Sequence, residues 1–185
     1  MKRLIFINGT MGVGKTTVGN ELLNILQPSV FLDGDWCWNM KPFIVNDETK
    51  EMVLANIVYL LRKFLTCSEY DNVIFTWVMP EESIIDNILA GLSDLHFERF
   101  IFTLTASEKA LVERLSKDIE RKIRTTDIIE SSLEKQKMYQ QMKTTKIDVS
   151  DLTPKQTAEK ILGLLLLKSK LGLIAGQPLL NKKDI

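Results

Sequence analysis

A single histidine, His96, excludes zinc centres built on several histidines and helix-borne His-Glu-x-x-His motifs. His96 stands between Leu95 and Phe97 beside an expected strand and is read as structural. Two cysteines, Cys37 and Cys67, are too few for a disulfide framework and read as reduced thiols. Net charge is also missing: 24 Lys plus Arg balance 24 Asp plus Glu. That balance argues against a protein held to nucleic acid by bulk charge. No apolar run approaches the roughly 20 residues of a membrane-spanning helix. The run Ile161 to Leu167 meets Lys168 and Lys170. The N-terminal Leu4-Ile5-Phe6-Ile7 is too short for a signal peptide core and stops at Asn8-Gly9. A soluble cytoplasmic protein is expected. With 185 residues, 45% hydrophobic and 26% charged, the chain suits one globular domain.

The pattern that is present alternates strand and helix. Short apolar runs at 3–7, 30–32, 73–78, 98–104 and 146–149 read as strands. Helical spacing marks 15–26, 47–66, 81–90, 107–122 and 127–143, and Thr153-Pro154 opens a last helix with a good cap and a first-turn proline. Asp47 or Thr49 is the expected cap of the second helix. Such alternation implies an α/β, three-layer fold with a five-stranded, mostly parallel sheet covered on both faces. The expected domain covers residues 1–171, and 172–185 reads as a tail.

One segment carries chemistry strongly. Gly9-Thr10-Met11-Gly12-Val13-Gly14-Lys15-Thr16-Thr17 satisfies G-x-x-x-x-G-K-[ST], between an apolar strand and an amphipathic helix. The glycines let the backbone turn its N–H groups inward, and the helix start adds the positive end of its dipole. Lys15 supplies a point charge for β- and γ-phosphates, and the Thr16 hydroxyl suits Mg²⁺. Residues 9–17 are thus the expected cradle of a nucleotide.

Phe31-Leu32-Asp33-Gly34-Asp35 closes the second strand. In an open parallel sheet this end of the strands holds the ligand, so Asp33 and Asp35 meet the glycine loop. Residues i and i+2 of an extended chain point the same way. One carboxylate then serves the Mg²⁺ shell and the other accepts a proton from an attacking hydroxyl.

A glycine loop followed some 16 residues later by Leu-Asp-Gly-Asp resembles the small P-loop kinases of metabolites, over about residues 1–167. Gluconate and adenylylsulfate kinases carry a similar Leu-Asp-Gly-Asp, and shikimate kinase and chloramphenicol phosphotransferases have related acidic sites. The resemblance implies a P-loop NTPase fold and an ATP- and Mg²⁺-dependent transfer to a hydroxyl of a small molecule. It implies Asp33 for Mg²⁺ and catalysis and Asp35 for the acceptor or the base. It also implies an arginine-bearing lid. The stretch from Lys109 to Lys146 holds ten basic and six acidic residues. Lid roles fall to Arg121 and Arg124, three apart on one face if their helix continues, and a nucleotide contact to Arg114, with the lid around 114–130. A solvated, salt-bridged helix is the other reading of that stretch. The loop from Asp148 to Pro154 would border the base.

The sequence departs from those kinases at Trp36-Cys37-Trp38. Trp36 and Trp38 either stack on a flat acceptor or pack beneath the loop, and Trp77 is a third acceptor-side candidate. Thr76-Trp77 stands where a motor ATPase would carry an acid. Asn181-Lys182-Lys183-Asp184 imitates the guanine-reading motif of GTPases without a D-x-x-G partner and reads as polar tail. The rival function is a nucleotide-binding regulator or antibiotic-resistance protein with no metabolite acceptor.

Overall fold

The computed structural model describes residues 1–170. The expected tail 172–185, with its Asn181-Lys182-Lys183-Asp184, lies outside the described residues. Five strands form one sheet: β1 Arg3–Asn8, β2 Ser29–Asp33, β3 Asn72–Thr76, β4 Glu98–Thr105 and β5 Thr145–Asp148. Their order is β2-β3-β1-β4-β5 and every pairing is parallel. Six helices complete the described chain: α1 Lys15–Ile25, α2 Asp47–Thr66, α3 Glu82–Ala90, α4 Glu108–Glu120, α5 Ile128–Gln141 and α6 Pro154–Lys170.

The central strand explains why the apolar runs are unbroken. Leu4 and Phe6 join the core on one face of the sheet, Ile5 and Ile7 the core on the other, and all four are fully buried. The first face is covered by Val53, Ile57 and Leu61 of α2, Ile85 and Ile88 of α3 and Tyr139 of α5. The second is covered by Val18 and Leu22 of α1 and Ala158, Ile161 and Leu165 of α6. β1 therefore ends in the middle of the sheet, with a helix layer on each side of whatever binds beyond it.

Local chemistry moved several boundaries. Asn46, not Asp47 or Thr49, is the N-cap of α2; its side chain accepts from the Thr49 N–H and the Thr49 hydroxyl accepts from the Asn46 N–H. Thr153 caps α6 as expected, in a reciprocal pair with Gln156. α4 stops at Glu120, and Lys122 takes a positive φ of 58°, which turns the chain before α5. After β2 the chain does not stay extended: Gly34–Trp38 form a 3-10 turn.

Candidate active site

β1 delivers the glycine loop. Gly9, Gly12 and Gly14 all adopt positive φ (143°, 75° and 104°), a region that side chains enter at a cost. A Cβ on Gly12 would strike Leu115 of α4 at 2.4 Å, whereas one on Gly14 would meet nothing within 4 Å. α4 thus packs onto one side of the loop, and the other side opens into the cleft.

The loop is pinned from below. Asn8 bonds the Met79 N–H and C=O with its amide (3.0 and 2.8 Å) and accepts from the Gly9 N–H at 2.8 Å. The buried Thr10 hydroxyl lies 2.8 Å from the Ser132 carbonyl, and the Ser132 hydroxyl donates to the Met11 carbonyl at 2.7 Å. Asn8 and Ser132 were not anticipated from the sequence. Asn8 was legible as the polar end of an apolar strand, but nothing in the local pattern around Ser132 marks a contact across 121 residues.

Lys15 begins α1, and its ammonium donates to the Thr10 carbonyl at 2.9 Å, inside the loop it is expected to serve. Burial pulls its pKa down to about 8, against the opposing pull of the Asp35 and Asp33 carboxylates. The Thr16 hydroxyl donates to Asp33 Oδ2 at 2.5 Å. Asp33 also accepts from the Asp35 N–H at 3.0 Å, capping the 3-10 turn. The expectation that Asp33 and Asp35 project in parallel from extended chain is corrected here: Asp33 is buried against Thr16, and Asp35, one step into the turn, opens toward the cleft. Desolvation and then the neighbouring Asp33 push the Asp35 carboxyl above the ordinary carboxylate range; Lys15, Arg124 and the Trp77 indole oppose that shift.

A cleft of about 410 Å³ runs along the loop, lined by Met11 to Val18, Asp35, Val78, Arg114, Asp118, Arg124, and by Val149, Leu152, Pro154 and Thr157. The last four form an apolar wall at the opposite end from Asp35's charge, in and after the loop expected to border a base. Arg114 ties this wall to the glycine loop, donating to the Val13, Val149 and Ser150 carbonyls. Its guanidinium is thus occupied with main chain.

The lid arginines part company. Arg124 lines the cleft and pairs with Asp118 at 3.3 Å. Arg121 ends α4 as its C-cap, is exposed and lies outside the cleft lining. The helix stops between them, so the shared face expected from their spacing does not form. The tryptophans also separate. Trp36 sets its ring edge-on against Phe31, in the α1 face of the sheet. Trp38 packs with Phe43 on the α2 face. Trp77 lies against Gly34, where a Cβ would meet its ring at 2.5 Å.

Thr16 and Asp33 are hard oxygen donors, as Mg²⁺ requires. Thr76, fully buried and opposite Asp33 in the β2–β3 register, carries a hydroxyl with no protein partner. An orphan hydroxyl at this edge is consistent with a bound cation's water shell. Among the described residues no cluster of three or more His, Cys, Asp or Glu side chains is placed to hold a metal ion by itself. The donor set therefore fits an ion that arrives with phosphates.

The family model described as "AAA domain" matches residues 5–138. The chain belongs to the AAA domain family. No curated protein matches the sequence. Solved structures do match in fold. The Deinococcus radiodurans tunicamycin resistance protein is 21% identical, with 89% of this chain and 96% of that one covered and a TM-score of 0.64. A gluconokinase from Sinorhizobium meliloti is 17% identical, covering 95% and 98%, with a TM-score of 0.65. Shikimate kinase from Acinetobacter baumannii, in complex with shikimate, is 21% identical, covering 91% and 95%, with a TM-score of 0.62. The fold of this AAA domain protein is that of the small P-loop kinases. Among the described residues no helix is long and apolar enough to cross a membrane.

Proposed function

We propose that this AAA domain protein is an ATP- and Mg²⁺-dependent phosphotransferase that moves the γ-phosphate to a hydroxyl of a small molecule, working in the cytoplasm. One observation carries the reading: the two carboxylates have different partners. Asp33 is committed to Thr16, while Asp35 lines the cleft and reaches Lys15 of the loop only through its charge. Asp35 is then the carboxylate left to receive the proton of an acceptor hydroxyl.

Residues 9–17 hold the phosphates with main-chain N–H groups, and Lys15 leaves the Thr10 carbonyl for the β- and γ-oxygens. Thr16 and Asp33 would hold Mg²⁺, which neutralises charge on the phosphates when bound. Val149, Leu152, Pro154 and Thr157 form the wall for the base. Asp35 orients the acceptor hydroxyl and takes its proton as the oxygen–phosphorus bond forms and the bond to the β-phosphate oxygen breaks, releasing ADP. Its burial makes Asp35 a stronger base than an ordinary carboxylate. Arg124 supports the charge on the transferring group, and Arg114 shapes the nucleotide wall through its carbonyl contacts. Trp77 borders Asp35 on the acceptor side.

The test is transfer of labelled γ-phosphate from ATP across metabolites, nucleosides and antibiotics. Acceptor-dependent transfer that Lys15→Ala abolishes supports the reading. ATP hydrolysis that no acceptor stimulates overturns it in favour of a nucleotide-binding regulator.

A further inference from the structure

The segments that carry Asp35 and Val78 into the cleft are short of positive charge. From Asp33 to Asn46, Lys41 is the one basic residue, and from Thr76 to Ala90 there is none, against Glu81, Glu82 and Asp86. α2 contributes no free cation: Lys50 pairs with Asp47, Arg62 with Asp94, and Lys63 lies over the Tyr59 ring. Of the three cations lining the cleft, Lys15 sits in the phosphate loop, Arg114 is bound to carbonyls and Arg124 is paired with Asp118.

The same segments are rich in apolar surface. Trp38, Met40, Trp77 and Val78 are partly buried against the α2-side core, and Val78 and Asp35 share the cleft. Phe43, tilted against Trp38, is 68% exposed, and Ile44 and Val45 continue the exposed apolar run. An anionic acceptor beside Asp35 would meet that carboxylate with the three cleft cations already engaged, at a cost that grows as water is excluded. An uncharged molecule would meet aromatic faces instead.

We infer that the acceptor is an uncharged hydroxyl compound with a flat or apolar body, and that sugar acids, other carboxylates, sulfates and phosphate monoesters are not phosphorylated. This rests on the phosphotransferase reading above and names its substrate class. It separates this chain from the gluconokinase and shikimate kinase whose fold it shares.

The experiment uses matched pairs on the 185-residue chain: a nucleoside and its 5′-monophosphate, glucose and gluconate, an aromatic alcohol and the corresponding aromatic hydroxy acid. Nucleotide binding is measured first by calorimetry. Phosphate transfer is then measured for each pair, and acceptor binding to the ADP-loaded protein is followed by tryptophan fluorescence. The expected result is transfer to the neutral member of at least one pair, at least ~10²-fold faster than to its anionic partner. Fluorescence should change with the neutral member only. Phe43→Arg, at an exposed position that folding tolerates, should shift binding toward the anionic member. Preference for an anionic member, equal use of both, or nucleotide binding without transfer to any neutral compound overturns the inference. Absence of nucleotide binding overturns the phosphotransferase reading itself, a separately visible outcome.

Discussion

The Thr16 hydroxyl and the Asp33 carboxylate meet at 2.5 Å, joining the start of α1 to the end of β2 across the intervening strand β3. This contact sets where a cation can sit, because it places a hydroxyl and a carboxylate on one spot from two separate strand-ends. Asp33→Asn keeps the shape and the cap on the Asp35 N–H but removes the charge. It should cost about 10–100-fold in Mg²⁺ affinity. Nucleotide binding in the absence of Mg²⁺ should hold. Mg²⁺ titrations of nucleotide binding check this; an unchanged Mg²⁺ midpoint would remove Asp33 from the metal site.

The strand bridged by that contact ends in Thr76, whose buried hydroxyl has no protein partner. An unsatisfied buried hydroxyl costs about 1–3 kcal/mol, a penalty that a water or ion held at the site would lift. Thr76→Val should leave the Tm of the free protein equal or higher, yet weaken Mg²⁺-dependent nucleotide binding by about tenfold. A fall in both together would make the hydroxyl a structural group instead.

Lys15 links stability to pH. Its folded pKa, about 8, lies below the 10.5 of an unperturbed lysine, because burial disfavours the ammonium. The unfolded chain binds the proton more tightly, so the penalty is full below pH 8. It is relieved as pH rises from about 8 to 10.5. Lys15→Met should therefore stabilise the nucleotide-free protein at pH 7 by something on the order of 1–3 kcal/mol while abolishing nucleotide binding. Denaturant melts at pH 7 and pH 10 check the sign: the gain should shrink at the higher pH.

Much of this was legible in the sequence, and the failures have physical causes. The glycine loop is a contiguous signature, so the turn through Gly9, Gly12 and Gly14 and the helix that starts at Lys15 could be read directly. The sheet was readable because Leu4 to Ile7 and Val73 to Phe75 are buried on both faces and leave unbroken apolar runs. The parallel projection of Asp33 and Asp35 failed because the Asp33 side chain captured the Asp35 N–H and began a 3-10 turn, a local competition that strand periodicity does not register. The same turn separates Trp36, which meets Phe31, from Trp38, which meets Phe43, so the two tryptophans do not share the same surroundings. Ser132 was invisible because its role exists only once α5 has docked on the glycine loop.

That docking contact is itself testable. Ser132→Ala removes a fully buried hydroxyl and leaves the partly buried Met11 carbonyl without that donor. The expected cost is about 1–3 kcal/mol of stability. Because the lost bond holds the glycine loop, nucleotide affinity should fall as well, beyond what a remote variant of equal Tm produces. Ser132→Thr, which retains the hydroxyl, should recover affinity more fully than stability, since its extra methyl enters a packed site.

The lid supplies the last contrast. Arg121 and Arg124 have the same charge, lie three residues apart, and differ in surroundings: Arg124 faces Asp118 and the cleft, and Arg121 faces solvent after the helix has ended. If lid charge acted only through the general field, the two would be nearly interchangeable, and both effects would fade with salt. If Arg124 moves from Asp118 onto the transferring phosphate, its removal should lower kcat by ~10²-fold or more with little change in nucleotide affinity. Arg121→Ala should then stay within about twofold of the parent. Asp118→Asn provides the internal control. By releasing Arg124 from its carboxylate it should hold or raise kcat, whereas loss of a purely structural ion pair would lower stability with no gain in kcat. Measuring kcat and nucleotide Kd for the three variants at low and high salt separates these accounts. Equal losses from Arg121→Ala and Arg124→Ala would return the lid to a diffuse electrostatic role.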